Sequence, residues 1–130
     1  MEDLKQGKEY IHLTGFREDI HACLKVSDCL LLTSDSESFP LVLLEAARAK
    51  IPVVTTDVGG VHALLPSEDY GFIAPTGDVE QVTNALRNLY TLKVSGAITA
   101  MGEKLYNHAK ESFSLEQLEQ DTRKAYKKYS

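Results

Sequence analysis

The chain has 130 residues, 43% hydrophobic and 25% charged, with a net charge of −5 and no tryptophan. That length supports one hydrophobic core without disulfides or metals, and the acidic balance argues against nucleic-acid binding, which clusters Lys and Arg. No run approaches the roughly 20 apolar residues of a membrane span, and MEDLKQGKEY has neither a signal core nor a transit pattern, so a soluble, cytoplasmic protein is expected.

In chain order, YIHLTG (Tyr10 to Gly15) reads as a short strand closed by glycine. Asp19 to Val26 follows as a helix, with Ile20, Cys23 and Leu24 at helical spacing. CLLLTS, Cys29 to Ser34, is an unbroken apolar run of the kind that forms a strand covered on both faces. The spacing of Cys23 and Cys29 fits neither a redox nor a zinc pattern, so both are expected as small reduced core residues. A helix is predicted from Pro40 to Ala49, and then a buried strand in IPVVTT, Ile51 to Thr56, running into DVGG. GFIAP, Gly71 to Pro75, is a very short strand. Asp78 begins a helix to about Leu92, with Gln81 completing a capping-box pattern. Two more helices are predicted, from Gly96 to Ser112 and from Ser114 to Tyr129. The second carries the same start signal in Ser114 and Gln117, and Arg123, Lys124, Lys127 and Lys128 near its end complement the helix dipole. Alternating strands and helices without a dividing linker read as a single α/β domain over residues 1–130: an open parallel sheet flanked by helices.

In such sheets ligands bind beyond the carboxyl ends of the strands. TGFRED, TSDSESFP and TTDVGG occupy those positions, and all are rich in small and polar residues. SESFPLVLLEAA, Ser36 to Ala47, is the most informative stretch. Leu41, Val42, Leu43, Leu44, Ala46, Ala47 and Ala49 surround Glu45, so the helix is expected to be buried all round. A carboxylate there needs a partner. One reading is a salt bridge to Arg48 or Lys50. The other is a ligand diol, whose two hydroxyls a carboxylate can accept together. Glu37 precedes the helix, and Pro40 suits a first turn, where its missing N–H would have no partner. The remaining free N–H groups favour an anion such as phosphate.

Glu37-Ser38-Phe39-Pro40 followed by Leu-Val-Leu-Leu-Glu45-Ala46 resembles the E-x7-E signature of retaining glycosyltransferases with the GT-B fold, family 4. GFRED, SDCLLLTS, IPVVTTDVGG and YGFIAPTGDVEQV resemble further segments of that family in the same order, so the likeness runs from Tyr10 to Gln81. The resemblance implies a Rossmann-like nucleotide-sugar-binding fold and transfer from a UDP- or GDP-linked sugar with retention, without a metal or other cofactor. By the same resemblance Glu37 is the catalytic carboxylate, placed at the donor sugar beside the leaving phosphate. Ser38 and the amides of Phe39, Leu41 and Val42 would hold the diphosphate, Glu45 the ribose hydroxyls, and Phe16 and Arg17 the nucleobase. Gly59 and Gly60 would let backbone approach the sugar.

The sequence departs from the family pattern at Ala63, where a glutamate is usual, at Lys50, where glycine is usual, and at Pro40, a frequent glycine. His62 is expected as a surface or capping residue. The resemblance covers only the distal part of the family's C-terminal domain. The N-terminal acceptor domain, which would receive a saccharide or lipid-linked acceptor, and the first two strands of the C-terminal domain have no counterpart. A fragment inactive alone is therefore expected, the alternative being a non-catalytic binding or assembly module. With the strand order 3-2-1-4-5-6, Tyr10 to Leu13 should either pair beside Cys29 to Thr33 or leave an edge open to self-association.

Overall fold

The computed structural model describes residues 9–113. The expected helix from Ser114 to Tyr129 and the chain's opening residues lie outside them. The elements are α1 (Ile20–Lys25), β1 (Leu30–Leu32), α2 (Leu41–Arg48), β2 (Val53–Thr56), α3 (Val61–Leu64), β3 (Phe72–Ala74), α4 (Val79–Ser95) and α5 (Ile98–Ser112). The three strands form one parallel sheet in the order β1-β2-β3, with Leu31 opposite Val54 and Thr55 opposite Ile73. This is the expected Rossmann-like open sheet with helices on both faces.

β2 explains the two-sided core. Its four residues are all buried and alternate in direction, so Val53 enters one hydrophobic cluster and Val54 the other. The first cluster joins Leu24 of α1, Leu43, Leu44, Ala46 and Ala47 of α2, Val61 and Leu64 of α3, and Leu105 and Ala109 of α5. The second joins Phe72 of β3 to Ala85 and Leu89 of α4 and Met101 of α5. Asp78 caps α4 as expected, its Oδ1 accepting from the Gln81 N–H at 3.0 Å. α4 runs past Leu92 to Ser95 and stops at Gly96, whose φ of +84° suits glycine.

Several expectations are corrected. Tyr10 to Leu13 is not a strand: Tyr10 and Leu13 are exposed, and β1 bonds only β2 among the described strands. A short run closed by glycine does not alone make a strand, because the backbone groups need a neighbour in register. CLLLTS is not covered on both faces. Leu30 and Leu32 pack against the first cluster, but Leu31 points to the opposite face and is 43% exposed, because α4 lies over β2 and β3. α2 is not buried all round either, since Leu41 and Arg48 reach solvent at its ends. Pro40 is the N-cap, with extended ψ of 106°, rather than a first-turn residue. Cys23 and Cys29 are free thiols, as expected, but only half-buried; burial pushes the Cys29 thiol pKa up. The one-turn helix α3 was not expected.

Lys50 shows what a side chain does where glycine is usual. It ends α2 with φ of +60°, while the Lys50 N–H bonds Ala47 O at 3.0 Å and the Ile51 N–H bonds Ala46 O at 2.9 Å. That pair of bonds is the Schellman arrangement, which favours glycine. The Lys50 ammonium compensates by reaching Glu103 at 3.2 Å and lying 5.0 Å from the centre of the Tyr106 ring. Left-handed strain in a non-glycine residue costs about 1–2 kcal/mol, whereas a half-exposed ion pair contributes about 0–1 and an exposed cation–π contact about 0.5–1. Lys50→Gly is therefore expected to leave stability within about 1 kcal/mol of the parent. Lys50→Ala, which keeps the strain and loses both contacts, should melt lower than Lys50→Gly. Thermal denaturation of the two variants checks this, and the reverse order would contradict the left-handed turn.

Candidate functional site

The carboxyl ends of β1 and β2 lie side by side, and the loops that leave them are tied together. Thr56, the last residue of β2 and only 2% exposed, donates its hydroxyl to Ser34 O at 2.6 Å. Further along, the Gly59 N–H donates to Glu37 O at 3.1 Å. A Cβ on Gly59 would run into the carbonyl oxygens of Ser38 and Glu37, the latter at 2.7 Å. Gly60 takes φ of +77°, and a Cβ there would strike the Phe39 ring. That ring is wedged against the core and sits 5.8 Å from the ring of Phe113. The double glycine is thus required first by the loop after β1, which packs directly on it.

This packing delivers a defined set of groups to one place. Glu37 is exposed at the surface of its loop, with Oε1 accepting the Ser34 hydroxyl at 3.1 Å. Ser38 and Phe39 follow, and Pro40 turns the chain into α2. Among the described residues no side chain caps this helix. Pro40 O accepts from the Leu43 N–H at 3.1 Å, so the N–H groups of Leu41 and Val42 are those left at the helix start. They follow directly on the loop that carries Glu37 and packs on Gly59 and Gly60. A helix start with free N–H groups attracts an anion.

Glu45 lies one turn further along α2. The residue is half-buried, and its Oε2 is closed to solvent. Of the two cations expected near it, Lys50 reaches Glu103 at 3.2 Å. Phe16 and Arg17 precede α1 and are exposed. The Arg17 guanidinium binds both carboxylate oxygens of Asp19, at 2.7 and 2.6 Å. Those hydrogen bonds hold the Asp19 carboxyl below its usual range and raise the guanidinium pKa further. Arg17 is thus paired locally with Asp19, the residue that precedes α1.

Of the sequence-predicted residues, Glu37, Ser38, Phe39, Leu41, Val42, Gly59 and Gly60 are brought together, with Glu45 on the same helix. Sequence reasoning missed Ser34, Thr56 and the pair of Asp57 Oδ1 and His62 Nε2, which meet at 3.0 Å beside the double glycine. His62 is exposed, as expected of a surface residue. Among the described residues no group of three His, Cys, Asp or Glu is arranged to hold a metal ion, and no helix is long and apolar enough to cross a membrane.

The profile of the family described as glycosyl transferases group 1 matches residues 1–91. The chain belongs to this family. This group 1 chain is similar to the N-acetyl-alpha-D-glucosaminyl L-malate synthase of Bacillus anthracis, at 34% identity over 80% of this chain and 27% of that protein. It is also similar to the UDP-Gal:alpha-D-GlcNAc-diphosphoundecaprenol alpha-1,3-galactosyltransferase of Escherichia coli, at 34% identity over 66% of this chain and 24% of that protein. The chain thus spans about a quarter of the length of these curated relatives. In fold it is similar to a glycosyltransferase from Rickettsia africae, with a TM-score of 0.80 at 20% identity over 98% of this chain and 34% of that one. It is likewise similar to Anabaena HepE, solved in complex with UDP, with a TM-score of 0.75 at 22% identity over 98% of this chain and 36% of that one. The group 1 fold here is the Rossmann-like sheet of GT-B glycosyltransferases.

Proposed function

We propose that this chain is the distal donor-binding part of the C-terminal domain of a retaining family 4 glycosyltransferase. In this reading the acceptor is bound by a domain outside these 130 residues, the 130-residue piece alone transfers nothing efficiently, and the whole enzyme works in the cytoplasm. The observation that supports it most is the juxtaposition of the Glu37 loop, the open start of α2 and the double glycine at the carboxyl ends of β1 and β2. A diphosphate fits the amides of Leu41 and Val42, with Ser38 and the Phe39 amide beside it. As the bond from the anomeric carbon to the phosphate oxygen breaks, negative charge grows on the diphosphate, and a helix start fixed in place stabilises it without reorganising. Glu37 then sits at the sugar side of that bond. Glu45 takes the two ribose hydroxyls of a UDP- or GDP-linked donor. The relatives include a protein named for UDP-Gal as donor, and fold neighbours were solved with UDP, which supports a nucleotide-sugar here. The chemistry of this chain's groups calls on no metal.

The ribose assignment has a direct test. The nucleoside diphosphate should bind the full-length protein about ten- to a hundredfold more tightly than its 2′-deoxy analogue, the range expected for hydrogen bonds to a charged group. Glu45→Ala should erase that difference. Equal affinities in the unmodified protein, measured by calorimetry, would remove Glu45 from the donor site.

A further inference from the structure

Glu37 carries a flexible side chain on an exposed loop, yet it is held at both ends. Its carbonyl accepts from the Gly59 N–H at 3.1 Å, and its carboxylate Oε1 accepts from the Ser34 hydroxyl at 3.1 Å. Ser34 is fixed in turn, because its carbonyl accepts the hydroxyl of the buried Thr56 at 2.6 Å. The end of β2 that supplies this hydroxyl is itself locked, with Thr55 Oγ1 donating to Thr56 O at 3.0 Å. Thr55 and Thr56 are the buried polar residues of the strand, and both spend their protons on this corner of the sheet.

We infer that Ser34 is a positioning residue that orients the Glu37 carboxylate, and that Thr56 anchors it. The inference rests on the role proposed for Glu37 above. An unrestrained glutamate samples many rotamers, and fixing one costs free energy at the moment of reaction. A hydroxyl on Oε1 selects one orientation beforehand and leaves Oε2 for a sugar hydroxyl. Such prior ordering is what catalysis by position requires. The relay reaches from the sheet to the carboxylate through two hydrogen bonds, so the rigidity of β2 is transmitted to an otherwise exposed group.

The experiment uses the full-length protein with steady-state kinetics on four variants and a double-mutant cycle. Ser34→Ala is expected to lower kcat about tenfold, the lower end for a hydrogen bond to a charged group, with donor KM within about twofold. Ser34→Thr, which keeps the hydroxyl, should recover most of that loss. Thr56→Val should lower kcat in the same sense, and Thr56→Ser should restore it. In a Glu37→Ala background Ser34→Ala should have no further effect, because there is no carboxylate left to orient. A tenfold loss in both backgrounds would show that Ser34 acts through the fold and would overturn the inference, as would an unchanged kcat for Ser34→Ala. Failure of the underlying reading has its own signature: Glu37→Ala alone would then be as active as the parent.

Discussion

Glu37→Gln is expected to cut turnover about a hundred- to a thousandfold, the range seen when one electrostatic stabiliser is removed from an active site, while donor KM stays within about threefold. The substitution is nearly isosteric. The amide oxygen of glutamine can still accept the Ser34 hydroxyl, and the bond from the Gly59 N–H goes to the backbone carbonyl of residue 37, which is unchanged. The loop should therefore keep its path over the double glycine. Only the charge proposed to face the sugar is lost, and in that reading it matters most when the anomeric carbon becomes electron-poor. Equal loss in kcat and kcat/KM is the signature of an interaction made only in the transition state. If KM alone rises, Glu37 binds the ground state and the catalytic assignment is wrong.

What the sequence made legible follows the range of the forces involved. β2 was readable because a short uncharged run of β-branched residues favours a strand covered on both faces, and VVTT is buried throughout. The start of α4 was readable because Asp78 and Gln81 interact within one turn. The gathering of Glu37, the α2 start and Gly59–Gly60 was legible at the level of topology, since successive parallel strands must place their carboxyl ends on one side. Three things were not. Tyr10 to Leu13 reads as a short strand closed by glycine, but pairing depends on a neighbour the local sequence does not name. Leu31 looked like core, yet its exposure is set by where α4 lies. The bond from Thr56 to Ser34 joins residues 22 apart in the chain, and no short-range pattern encodes it. The glycines show the same limit. They were read as room for a ligand, while the structure shows them first as room for another loop.

Gly59→Ala is expected to destabilise the chain by about 1–3 kcal/mol or more, the usual cost of forcing an atom into a filled space, and to abolish donor binding. The new methyl would land on the carbonyl oxygens of Ser38 and Glu37, and these are backbone atoms that no rotamer change can move away. Relief requires the loop to lift off, which breaks the bond from the Gly59 N–H to Glu37 O and shifts the start of α2 with it. Glu37 and the α2 amides proposed to hold the phosphate would then lose their common frame. Gly77→Ala is the control. Gly77 has φ of +75° and nothing within 4 Å of the added Cβ, so that variant carries backbone strain alone. It should cost about 1–2 kcal/mol and leave donor affinity unchanged. Thermal melts with calorimetry on the full-length protein separate the two, because stability falls in both variants while binding falls only for Gly59→Ala. If Gly59→Ala binds donor as well as Gly77→Ala does, the loop over the double glycine is not what holds the donor site together.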